Sequence, residues 1–238
     1  MTWPNKNNNT YQNEKETDLY KKKEDWKKML GPEGSVISFL TKAGQVIILN
    51  VIWLLSCIPI ITIGTATTSL YYAMMKNIRR NRSYPVVEYF ASFNRVLGKG
   101  SIFTIIIGCW YLLLFHLQSI AIMMGNSTGI FLSRLYLMLM LVTAAVLIYL
   151  FPVLSRFTMS MTGMVKLAFV MAVRYAGYTV IMTAGTAALV YLWIYVLPMP
   201  AIFFLPGAWC YVCTFMNEKA LRHYMPAPDG NEDAWYYE

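Results

Sequence analysis

Four places in this chain carry residue types able to do chemistry. Cys210 and Cys213 form a C-x-x-C pair, the spacing used for thiol–disulfide exchange or for half of a metal site. Such chemistry needs an accessible, activated thiolate. Set among Trp209, Tyr211 and Val212, the pair reads first as small packing residues, and Cys57 and Cys109 also lie in apolar text, so no disulfide framework follows. His116 and Gln118 could hold a proton or a ligand, but an interhelical hydrogen bond is the first expectation. Thr62, Gly64, Thr65, Thr67, Thr68 and Ser69 make a small, hydroxylated cluster. That composition lets helices approach closely, and it could also line a polar seam for a solute. Asn50 and Trp53 stand one helix turn apart, with Asn50 expected at mid-depth in a span, facing the threonines at 62–68 across a hairpin at Pro59.

Other chemistries lack their parts. The expected spans are read as free of Asp and Glu, with Glu218 counted to an acidic tail, so carboxylate-based ion coupling has no anchor. Two histidines make no H-E-x-x-H zinc site, and spans without Asp cannot assemble a Ser-His-Asp set. Gly98-Lys99-Gly100-Ser101 echoes a phosphate loop but lacks its first glycine and its Ser or Thr after lysine. No enzyme activity, cofactor or metal is expected.

The elements that position these residues are hydrophobic. Of 238 residues, 57% are apolar and only 13% charged. Residues 43–75 contain no charged side chain and are broken near their middle by Cys57-Ile58-Pro59-Ile60-Ile61-Thr62-Ile63-Gly64. A bilayer core about 30 Å thick is crossed by about 20 residues of helix. One helix over this run would be about 50 Å long and need extreme tilt, so a proline-hinged hairpin is expected. Six crossings account for the apolar text: 36–58, 59–80, 101–124, 130–155, 175–197 and 201–220. The fold class expected is therefore all-α, a polytopic transmembrane bundle. A polar tail with a short amphipathic helix over 18–30 precedes it (1–34), the bundle occupies 35–222, and an acidic tail follows (223–238).

The net charge of +8 is not a nucleic-acid signature. Lys76, Arg79, Arg80, Arg82, Arg95 and Lys99 share one connector with Glu88, and Arg156, Lys166 and Arg174 share another. Basic connectors mark the cytoplasmic side, so both termini are expected there. Each connector is expected to be an amphipathic helix under the bilayer. The apolar face is Val86, Phe90, Phe93 and Leu97 over 83–99, and Val165, Phe169 and Ala172 over 161–174.

Leu49-Asn50-Val51-Ile52-Trp53-Leu54-Leu55, then Ile58-Pro59-Ile60-Ile61-Thr62-Ile63-Gly64, Thr67-Thr68-Ser69-Leu70-Tyr71-Tyr72 and Tyr89-Phe90-Ala91-Ser92-Phe93 resemble the YesL-like family of bacterial membrane proteins. The resemblance covers about 36–100. It implies no catalytic or ligand-binding residue. It implies an accessory membrane component of an ATP-driven carbohydrate importer, with importer membrane subunits and the lipid bilayer as partners and no nucleic acid. Phe90, Phe93, Arg95 and Lys99 are then the candidate cytoplasmic docking residues. The alternative is a stand-alone sugar transporter or channel whose seam is Asn50, Trp53, Pro59, Thr62, Gly64, Thr67 and Thr68.

Overall fold

A computed structural model describes residues 35–78, 84–195, 201 and 203–225. The expected 18–30 helix and most of the acidic tail lie outside the described residues. The chain divides into two units, residues 1–45 and 46–238. In the first, the described residues are the opening turns of α1 (Ser35–Ser56), where the Thr41 hydroxyl donates back to Ile37 O at 2.8 Å.

The second unit is helical throughout its described residues. After α1 come α2 (Ile63–Ala73), α3 (Pro85–Met123), α4 (Ser127–Arg156), α5 (Met161–Arg174), α6 (Ala176–Tyr195) and α7 (Leu205–Leu221). Four helices are long and apolar enough to cross a membrane: Ile37–Ser56 within α1, then α3, α4 and α6. At 17 residues, α7 is about 25 Å long, just short of one hydrocarbon thickness.

The break at Pro59 is a hairpin. Pro59 is extended (φ −74°, ψ 111°) and opens a 3₁₀ turn, Ile60–Thr62. The Thr62 hydroxyl reaches Ser56 O (2.6 Å) and Pro59 O (2.7 Å), and Pro59 O also accepts the 3₁₀ bond from Thr62 N at 2.9 Å. Across the hairpin the Trp53 indole Nε1 donates to Thr67 Oγ1 at 3.3 Å. In a continuous helix those residues would stand about 21 Å apart. The single long helix is excluded.

Three expectations are corrected. First, the connector over 83–99 and the span over 101–124 are one helix, α3, of 39 residues and about 58 Å. Gly98 and Gly100 do not end it. Gly100 admits the backbone of α2, since a Cβ there would meet Thr65 Cα at 2.9 Å. Second, both connector helices also pack on protein, through faces largely other than the apolar ones expected to meet the bilayer. In α3 the inward residues are Tyr89, Ser92, Val96, Gly100 and Phe103, while Phe90 and Leu97 are exposed. In α5 they are Met164, Ala168, Met171 and Ala172, while Val165 and Phe169 are exposed. Third, Glu218 belongs to the last turn of α7 and is 2% exposed, with Arg222 Nε 3.7 Å from its carboxylate.

The two helical hairpins are offset. Gly64 N donates to Thr104 Oγ1 at 2.9 Å, and α3 then continues through residues 105–123, about 28 Å further in the direction of the Pro59 turn. That turn therefore lies beside the middle of α3, not level with the Gly125 turn that joins α3 to α4. Gly125 has φ +62°, and the Asn126 side chain caps α4 by accepting from Gly129 N at 2.7 Å.

Candidate functional site

The seam residues come together as a structural contact. Gly64 on α2 faces Gly100 on α3 so closely that a Cβ on Gly64 would lie 2.5 Å from Thr104 Oγ1 and 2.9 Å from Gly100 O. Thr65 Oγ1 donates to Leu97 O (3.3 Å) and lies 3.5 Å from Ser101 Oγ. The Thr67, Thr68 and Ser69 hydroxyls donate to the carbonyls four residues back, Ile63, Gly64 and Thr65, at 2.7–2.8 Å. Thr65, Thr68 and Ser69 are fully buried. Each hydroxyl therefore has its donor placed, and those of Thr65, Thr68 and Ser69 lie against protein, while Thr67 is half-buried. The contact is dry, close and held by hydrogen bonds, as small-residue interfaces between membrane helices are.

Asn50 and Trp53 divide their roles. Trp53 makes the bond across the hairpin. Asn50 is fully buried and packs on Gly207 of α7, where a Cβ would meet Asn50 Cβ at 2.8 Å. Pro59 is exposed in the turn.

Beside this contact lies a cavity of about 570 Å³, bounded by α1, α2, α4, α6 and α7. Its walls include Trp53, Thr67, Phe151, Trp193, Trp209 and Cys213 and, among the described residues, no charged side chain. The two wall threonines are occupied in the same way. Thr67 accepts from Trp53 and donates to Ile63 O; Thr186 accepts from Trp209 Nε1 (3.0 Å) and donates to Met182 O (2.7 Å). Gly185 leaves room for the Trp209 ring, which a Cβ there would strike. Cys210 and Cys213 are free, buried thiols on this wall. Among the described residues, no three His, Cys, Asp or Glu gather as a metal site.

Most of the charged groups described in the second unit collect at the end opposite the Pro59 turn, whereas Arg134 stands near the Gly125 turn. Lys76 Nζ pairs with Glu88 at 2.7 Å, and both Lys76 and Arg95 stand over the Tyr72 ring, at 5.6 and 4.8 Å. Of the docking candidates, Arg95 Nη2 donates to Ser155 O (3.2 Å) and Lys99 Nζ to Met159 O (3.1 Å). They place positive charge at the carbonyl end of α4, where the helix dipole favours it. Phe93 stacks on Tyr89 with centroids 6.2 Å apart, which leaves Phe90 as the outward-facing member. The Arg156 guanidinium lies between the sulfurs of Met75 and Met225, 3.4 Å from each. His116 is exposed on α3, and Gly98-Lys99-Gly100-Ser101 is interior helix.

Sequence reasoning missed Thr104, Thr186, Trp193, Trp209, Gly207 and Glu218. Each matters through a partner on another helix, and no local spacing announces it. Glu218 alone carried a readable signal, a carboxylate in the last apolar stretch before the tail.

No curated protein and no solved structure matches the chain. Residues 46–117, which hold the hairpin, the α2–α3 contact and the outward continuation of α3, match the sequence model of a family described as a protein of unknown function, DUF624.

Proposed function

We propose that this is a membrane protein that works through association with other membrane subunits, as an accessory component of an ATP-driven carbohydrate importer in the plasma membrane of a bacterium. The observation that carries the reading is the dry α2–α3 contact. The hydroxyls that could have lined a sugar path are bonded to their own backbone, and the adjoining cavity offers no charged group and occupied threonines. Sugars need several free donors and acceptors, because each polar group taken from water without a partner costs about 1–3 kcal/mol. The importer itself comes from the YesL-like resemblance over 36–100. Copurification from native membranes tests it: importer membrane subunits should be retained with the tagged protein, and a chain that elutes alone would contradict the reading.

The topology proposed with it has six crossings, the basic end in the cytoplasm and both termini there. Its support is the gathering of Lys76, Arg95, Lys99, Arg156 and Arg222 at one end of the second unit. In a cysteine-free background, Ile58→Cys should react with an impermeant thiol reagent in intact cells and Tyr84→Cys only after lysis. The reverse pattern would invert the orientation. An Ile58→Cys protected from both sides would end the hairpin inside the hydrocarbon, consistent with the offset of about 28 Å along α3, and leave four crossings.

A further inference from the structure

We propose that the cavity bounded by α1, α2, α4, α6 and α7 is a binding site for one hydrocarbon chain of a bilayer lipid. Its volume of about 570 Å³ falls within the roughly 300–1,000 Å³ of ligand pockets. Its walls decide the chemistry. Phe151, Leu147, Leu189 and the rings of Trp53, Trp193 and Trp209 supply apolar surface, and no Lys, Arg, Asp or Glu among the described residues reaches it.

Of the three wall indoles, those of Trp53 and Trp209 already donate to Thr67 and Thr186, while that of Trp193 makes no such bond among the described residues. A polar guest would lose its hydration and find one indole N–H and two weakly donating thiols to replace it, whereas an acyl chain has no such requirement. The surroundings select the same guest. Three of the five wall helices, α1, α4 and α6, are long and apolar enough to cross a membrane, so the medium at the cavity's open side is hydrocarbon. An empty apolar void of this size forfeits dispersion contacts along its whole lining, and a chain entering from the bilayer restores them. The site does not depend on an importer partner, so it can fail without touching that reading, and the reverse.

The test uses the full chain in nanodiscs of phosphatidylcholine doped with a lipid bearing a photoactivatable diazirine on its acyl chain. Crosslinked peptides are then mapped. Wall peptides containing Trp53 and Cys210 should label and saturate as the probe fraction rises. Ala144→Phe, which fills the cavity from α4, should lower that labelling about tenfold, the effect of excluding about two methylenes from a site. Labelling around Trp110, an exposed residue on α3, should not change and reports the surrounding lipid. Leu189→Trp fills the same space from α6 and serves if Ala144→Phe does not fold. Wall labelling that is absent, that never saturates, or that survives both filling substitutions would overturn the proposal.

Discussion

The α2–α3 contact and the cavity beside it share a helix, α2, and differ in almost everything else. On one side Gly64, Gly100 and Thr104 bring two backbones together with no room for an added methyl. On the other, Gly185 opens space for a tryptophan ring at the edge of a large void. Both use glycine and threonine. Glycine beside backbone closes a contact, whereas glycine beside a large flat ring that does not fill its surroundings leaves a chamber. In both regions the threonine hydroxyls already donate to backbone carbonyls.

The comparison can be broken most sharply at its glycines. Gly100→Ala drives a methyl into the Thr65 backbone, which cannot retreat as a side chain could, and should cost about 3 kcal/mol, the upper end of overpacking effects. Thermal unfolding in detergent, with the wild type alongside, measures it. Gly185→Ala meets only the ring of Trp209, which can swing toward the cavity, and the helix gains about 1 kcal/mol of propensity. Its stability should stay within about 1 kcal/mol of wild type. Equal large losses at both sites would show that the cavity wall is as rigid as the closed contact.

Smaller effects refine the picture. Trp53→Phe removes the bond to Thr67 while keeping an aromatic ring, and should cost about 0.6 kcal/mol, the average for interhelical hydrogen bonds in membranes. Replacing Arg95 and Lys99 together by Gln removes two cations from the carbonyl end of α4 and should cost a few tenths of a kcal/mol to about 1 kcal/mol. The loss should shrink as salt is added, because exposed charges are screened. A salt-independent loss would mean that those side chains act by packing rather than by charge.

The sequence was informative about lengths and breaks and less so about faces. The charge-free run over 43–75 and Pro59 at its centre were enough to place the hairpin, since bilayer thickness limits how long one helix can be. The sequence reading of α3 and α5 named the apolar faces meant for the bilayer and left the faces turned to protein unassigned. Phe90, Leu97, Val165 and Phe169 point outward, while Ser92, Gly100 and Ala168 point in. In lipid, small residues gain most at a helix contact, and large apolar ones lose nothing by facing the chains. The fusion of 83–99 with 101–124 was hidden by Gly98 and Gly100, glycines that resemble a boundary until the approach of α2 explains one of them. Glu218 escaped because its neighbours in sequence belong to the tail and its surroundings to the bundle. The cavity could not be read at all, since its walls come from five helices.

Solute flux tests the central claim most directly. Purified protein in sealed liposomes should pass radiolabelled mono- and disaccharides no faster than protein-free liposomes, because the hydroxyls at 62–69 hold helices together and line no path. Sugar entry above that background, abolished by Thr67→Leu with Thr68→Leu, would contradict the account and make the seam a transport route.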